Sequence, residues 1–92
     1  DLLICPVMPT VAYPHDHRGD GALDPITVSE SRSMIVNGLP RPYLDNLQWP
    51  SLATVAELPA TAVPTGRFVD GMPMGVQLIG PYLEDRTPLQ FA

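Results

Sequence analysis

The side chains of this 92-residue sequence that could do chemistry are few and lie mostly in its first half. Cys5 with His15 or His17 could form a thiolate–imidazole pair, since a low-pKa thiolate beside a base is a competent nucleophile. A cysteine inside an apolar run such as LLICPV is more typical of an inert side chain buried in a strand. We therefore predict a structural role for Cys5.

The two histidines flank Asp16 at a spacing that would place both imidazoles on one side of an extended chain, as some metal sites require. No second pair of ligands follows at a suitable spacing. A calcium loop also fails on charge, because Arg18 and Thr27 stand where that loop needs acidic ligands. We predict a solvated loop at His15–His17, with no metal and no other cofactor.

Composition argues against several function classes. Ten acidic residues against five basic ones give a net charge of -5, whereas nucleic acid and anionic membranes attract clusters of Lys and Arg. We predict neither as a partner. All five basic residues are arginines, so a lysine base cannot come from this chain. One cysteine, with neither a secretory signal nor an apolar run of ~20 residues, predicts a soluble protein in the reducing cytoplasm.

Apolar runs without alternation predict strands that are buried on both faces. Those runs extend over Leu2 to Val7, Ala60 to Val63 and Met74 to Ile79, and the shorter run from Met34 to Val36 predicts a strand that enters a tight turn. Asn37-Gly38 and Asp70-Gly71 are typical of tight turns, and Pro64-Thr65-Gly66 is expected to end the third strand. Arg67 to Gly71 is then a connector.

Helices are predicted from about Pro50 to Glu57 and after Asp85, a plausible N-cap, while Ser29 to Arg32 could begin a short helix or a turn. Tyr13 to Asp24 is polar and glycine-rich, which is typical of a long surface loop. Strands and helices in this order predict part of an α/β layer structure. The sequence begins without Met and stops inside an apparent helix, which favours a fragment of a longer polypeptide.

The segment LPATAVPTGRFVDGMPMGVQLIG, from Leu58 to Gly80, resembles the C-terminal signature of the amidase signature family. The opening DLLICPVMPTVA and the start of a last helix at Glu84-Asp85 also resemble that family. We expect structural roles for the matched positions, because prolines and glycines of this kind serve turns and close backbone approaches. These positions are Pro59, Pro64, Gly66, Gly71, Pro73, Gly75 and Gln77.

The resemblance implies a carboxamide hydrolase with two serines and a lysine base, built on a large mixed sheet flanked by helices. This chain has neither a lysine nor a Gly-Gly-Ser-Ser sequence. The whole chain, 1–92, is therefore predicted to be a C-terminal amidase fragment with a loop-rich insert at about 13–48, inactive in isolation. Its expected partners are the preceding polypeptide and, in the intact enzyme, a small amide substrate.

Tyr43, Asp45 and Trp49 form the candidate substrate-binding cluster, since aromatic walls and one carboxylate could line a pocket for an amide. The family places this connection near its substrate cleft. A tryptophan before a helix can equally anchor that helix by packing. The alternative to the enzyme fragment is a non-catalytic binding or structural module derived from the same scaffold.

Two helices can cover only one face of a sheet whose strands are apolar on both faces. In isolation we expect the chain to self-associate or to pack loosely.

Overall fold

The structure, a computed structural model, describes all 92 residues. It has a three-stranded sheet in the order β1-β5-β4 and a separate two-stranded hairpin of β2 and β3, with every pair antiparallel. Short helices flank these strands, which confirms the predicted α/β class. The elements are β1 Leu3–Pro6, α1 Pro25–Ser31, β2 Ser33–Val36, β3 Leu39–Pro42, a 3₁₀ helix Tyr43–Leu47, α2 Gln48–Val55, β4 Ala60–Val69, β5 Met72–Ile79 and α3 Arg86–Phe91.

Both tight turns predicted from the sequence are confirmed. Asn37 and Gly38 have φ values of 51° and 76°, and Asp70 and Gly71 have 50° and 77°. Positive φ at both central residues is the geometry that Asn-Gly and Asp-Gly adopt in two-residue hairpins. These turns connect β2 to β3 and β4 to β5.

The predicted strand end at Pro64-Thr65-Gly66 is wrong. Strand β4 continues to Val69, and the pairing register with β5 shifts between Pro64 and Phe68. Pro64 and Gly66, the latter with a φ of +70°, form an irregularity within the strand and do not end it. The predicted connector therefore contributes its first three residues, 67–69, to β4.

Helix boundaries also differ from the predictions. Helix α1 begins at Pro25, earlier than expected, because the Asp24 side chain accepts hydrogen bonds from the backbone N–H groups of Ile26 and Thr27. Helix α2 starts two residues before Pro50 and follows a 3₁₀ turn directly. Asp85 occupies the N-cap position of α3, as predicted, but its side chain makes no capping hydrogen bond.

The core is small and lies on one face of the three-stranded sheet. Cys5, Ala53 and Ile79 are buried there, with Trp49 and Leu58 packed against them. A free thiol buried in this cluster confirms the structural role predicted for it.

The prediction of strands buried on both faces is wrong for β1 and β4 and holds only at the end of β5, where the consecutive residues Gln77, Leu78 and Ile79 are all buried. Only Cys5 of β1 is buried, and the β1 residues Leu3 and Ile4 remain 52% and 53% exposed. Only nine of the 92 residues are buried, so the chain has too little mass to cover both faces of its sheet.

Candidate functional site

Tyr43, Asp45 and Trp49 lie on the continuous segment formed by the 3₁₀ helix and the first turn of α2. Each has a different neighbour. Arg41 donates to Asp45 Oδ2 at 2.7 Å, and the guanidinium carbon of Arg32 lies 5.9 Å from the centre of the Tyr43 ring. Trp49 packs against the core. The structure therefore gives Asp45 and Trp49 intramolecular contacts, and contact of the three with a substrate stays a prediction.

The polar loop is held by a cluster of ionic contacts, here called the loop cluster: Asp16, His17, Arg18, Asp20 and Arg32. Arg18 donates to both carboxylate oxygens of Asp16 and holds the pKa of that carboxyl well below its usual range. Arg32 donates to Asp20 Oδ1 at 2.6 Å and to the Arg18 carbonyl at 2.9 Å. A hydrogen bond from His17 lowers the pKa of Asp20. The loop is thus tied to the end of α1.

A cavity of about 390 Å³ lies beside the loop cluster. Tyr13, His15 and Tyr43 line it together with charged members of the cluster. The Tyr13 hydroxyl accepts a hydrogen bond from Nδ2 of the buried Asn46 at 2.8 Å. Tyr43 therefore faces a polar cavity, whereas no group of three or more His, Cys, Asp or Glu side chains is arranged to hold a metal ion.

A second cavity, the apolar cleft, opens where β1 separates from β5. Strand β1 ends at Pro6, opposite Val76, so residues 72–75 at the start of β5 have no partner in β1. One wall of the cleft consists of residues 6–12, at the end of β1 and beyond it. The other wall consists of Val69 and residues 73–76, from β4 and β5. Asn37 completes the lining.

The apolar cleft has a volume of about 520 Å³, within the range of about 300–1,000 Å³ that is usual for ligand pockets. No charged side chain lines it. Its chemistry therefore suits an uncharged group with a substantial apolar part. Sequence reasoning missed this cleft because its two walls lie at least 57 residues apart along the chain. The only local signal was Pro9, which bounds the first apolar run.

The residues matched to the family signature have identifiable structural contacts. The Pro59 carbonyl accepts a hydrogen bond from the Gly80 N–H at 2.9 Å, which closes the end of the β4–β5 pair. A Cβ atom on Gly75 would lie 3.1 Å from the Val63 carbonyl oxygen, so a side chain there would crowd β4. Gln77 is buried in the central strand. All three features act on the sheet itself.

Comparison with known proteins gives one family. A family model described as Amidase matches residues 1–89. A glutamyl-tRNA(Gln) amidotransferase subunit of Lacticaseibacillus casei (strain BL23) is 41% identical over 92 residues, which is 100% of this chain and 15% of that protein. The corresponding subunit of Azotobacter vinelandii is 32% identical over 92 residues, again 100% of this chain and 15% of the relative.

A third relative, the same subunit from Latilactobacillus sakei, is 38% identical over 87 residues, covering 95% of the chain and 14% of the relative. The chain therefore spans about one seventh of the length of these curated relatives. None of its three α-helices has the length and apolar character needed to cross a membrane.

Proposed function

The chain belongs to the Amidase family, and on this premise we propose that it is the C-terminal scaffold segment of an enzyme that hydrolyses the C–N bond of a carboxamide. The two serines and the lysine of the catalytic triad lie outside this chain, which contains no lysine. The C-terminal position is supported by the signature residues between Leu58 and Gly80. The isolated chain is inactive on this proposal.

The observation that carries the proposal is the amount of surface left uncovered. The accessible surface is 6768 Å², whereas a compact monomer of 10.0 kDa exposes about 5,200 Å². The radius of gyration is 15.3 Å against about 12 Å for a compact domain of this length. An excess of about 1,500 Å² exceeds the ~800 Å² that one partner buries in a standard interface. This surface fits a chain that packs against a larger body.

The apolar part of that surface is concentrated on the strands. In β4 and β5 beyond the reach of β1, Phe68 and Met72, which do not line the apolar cleft, are 67% and 38% exposed. An isolated two-stranded hairpin of this kind has marginal stability in water. We propose that the preceding part of the polypeptide covers it.

Within the complete enzyme, the apolar cleft forms one wall of the substrate pocket. Its uncharged lining favours a neutral carboxamide over a charged one, because burying an unpaired charge is costly. Tyr43 is kept as a candidate substrate contact since it faces the polar cavity, whose lining begins at Tyr13, the residue directly after the cleft wall of residues 6–12. Asp45 and Trp49 support the same segment through Arg41 and the core.

The relatives are named as subunits of amidotransferases that act on glutamyl-tRNA(Gln). For this chain we propose the shared step only, cleavage of the amide C–N bond. A net charge of -5 does not favour tRNA binding by this segment itself. The enzyme that contains the segment is proposed to be cytoplasmic.

The direct test is the gene that encodes this chain. The reading frame upstream of Asp1 should encode a lysine and a Gly-Ser-rich loop, and the complete polypeptide should release ammonia from members of a panel of aryl and aliphatic amides. The 92-residue chain alone is the matched control and should release none. A complete polypeptide without that lysine and loop, and without turnover, would instead establish the non-catalytic module.

A further inference from the structure

Gln77 is a polar side chain at the centre of the three-stranded sheet and is only 5% exposed. It lies opposite Cys5 on β1 and opposite Ala62 on β4. A buried amide in such a position is costly unless its hydrogen-bonding groups have partners. Its partners therefore indicate what the residue does.

The side-chain nitrogen of Gln77 bridges two segments that are distant in sequence. Nε2 donates to the Pro6 carbonyl at 3.1 Å and to the Trp49 carbonyl at 2.9 Å. A primary amide carries two N–H groups, so both donors are used. Glutamate and methionine have a similar length but cannot make these two bonds at neutral pH.

The two carbonyls belong to segments that border two different cavities, the apolar cleft and the polar cavity lined by Tyr43. Pro6 is the last residue of β1 and the first residue that lines the apolar cleft. Trp49 lies in the first turn of α2, directly after the 3₁₀ helix that carries Tyr43. Gln77 therefore sets the distance between the cleft wall and the segment that carries the substrate candidates.

We propose that Gln77 is a positioning residue for substrate binding: it fixes the exit of β1 relative to β5, and thereby the shape of the apolar cleft. The same side chain holds the start of α2, next to the segment that carries Tyr43, against β5. The proposal rests on the proposed function, because it assigns the cleft to the substrate pocket of a complete amidase. Gln77 itself need not touch the substrate.

The test uses the complete polypeptide and compares wild type with Gln77→Met and Gln77→Glu. Gln90→Met is the matched control, since Gln90 is exposed on α3 and the chemical change is the same. We expect KM for an uncharged amide with an apolar acyl group to rise about tenfold in both Gln77 variants, with kcat changed much less. The control should leave both constants unchanged.

The pH profile adds a readout that loss of stability would not produce. A protonated carboxyl carries one O–H donor, so KM of Gln77→Glu should fall towards the wild-type value as pH is lowered, whereas KM of Gln77→Met should not. Gln77→Asn keeps both N–H donors on a shorter side chain, and it replaces the other two variants in the KM comparison if they do not fold. It should raise KM by a smaller factor.

Unchanged KM in folded Gln77 variants, or a lower kcat alone that follows the fraction of folded enzyme, would overturn the proposal. A wild-type polypeptide without amide turnover would instead contradict the proposed function. The two failures are therefore distinguishable.

Discussion

The uncovered sheet predicts that the isolated 92-residue chain self-associates, and a single charge in that sheet should weaken the association. Ile4, on the edge strand β1, is 53% exposed. Charged side chains on edge strands oppose intermolecular pairing, so Ile4→Lys is the informative change. Leu23→Lys is the matched control, because Leu23 is fully exposed in the polar loop and lies outside the sheet.

The magnitude follows from the area that Ile4 can still bury. Complete burial of such a side chain contributes about 1.5–3 kcal/mol, so the exposed half contributes about 1 kcal/mol per copy. Both copies of a dimer lose that term, about 2 kcal/mol in all, which raises the dissociation constant roughly thirtyfold, and the cost of burying an ammonium group adds to it. Leu23→Lys should leave the constant unchanged.

Sedimentation velocity over a range of protein concentrations measures the association, and near-ultraviolet circular dichroism of Trp49 reports whether packing is fixed. We expect concentration-dependent species for the wild-type chain and for Leu23→Lys, shifted towards monomer for Ile4→Lys. A monodisperse wild-type monomer with a cooperative thermal transition and a fixed Trp49 signal would refute the reasoning and favour the independent module.

Three further predictions concern the loop, the first helix and the last helix. Calorimetry with zinc should show no complex of micromolar affinity at His15–His17, since two imidazoles leave a first-row ion largely hydrated; a tight one-to-one complex would contradict this. Hydrogen bonds from Thr27 lower the pKa of Asp24 in the folded chain. The cap of α1 should therefore be fully formed above the usual aspartate pKa of 3.8 and be lost as pH falls through the lower pKa of folded Asp24. An NMR titration of the helix amides with a midpoint at or above pH 3.8 would contradict this prediction. Gly80→Ala should destabilise the complete polypeptide by about 1–3 kcal/mol in urea unfolding, because the new Cβ would lie 2.7 Å from Pro88 Cδ, and an unchanged midpoint would show that α3 shifts freely.

Local chemistry is the part of this protein that the sequence determined by itself. Asn37-Gly38 and Asp70-Gly71 require no distant partner to adopt positive φ, because a short polar side chain followed by glycine already favours that geometry. The apolar run at the start of the chain and that of β5 were likewise recognisable as strands. The family resemblance, which depends on residue identity alone, was confirmed by a match over residues 1–89.

Where each strand ends was decided by tertiary structure. Pro64 and Gly66 favour a turn when they are considered locally. β5, however, pairs with β4 again at Phe68 and Val69, so β4 continues through an irregularity to Val69. Tertiary pairing can override local preference because each additional backbone hydrogen bond and cross-strand contact stabilises the extended chain.

The apolar cleft and the contacts of Gln77 depended entirely on the fold. Gln77 meets Pro6 across 71 residues of sequence and Trp49 across 28, and no spacing pattern indicates which carbonyls a buried amide will find. Burial itself was overestimated for the same reason. A sequence pattern shows which faces are apolar, but the amount of protein available to cover them is a property of the assembled chain, and here it leaves all but nine residues at least partly in contact with solvent.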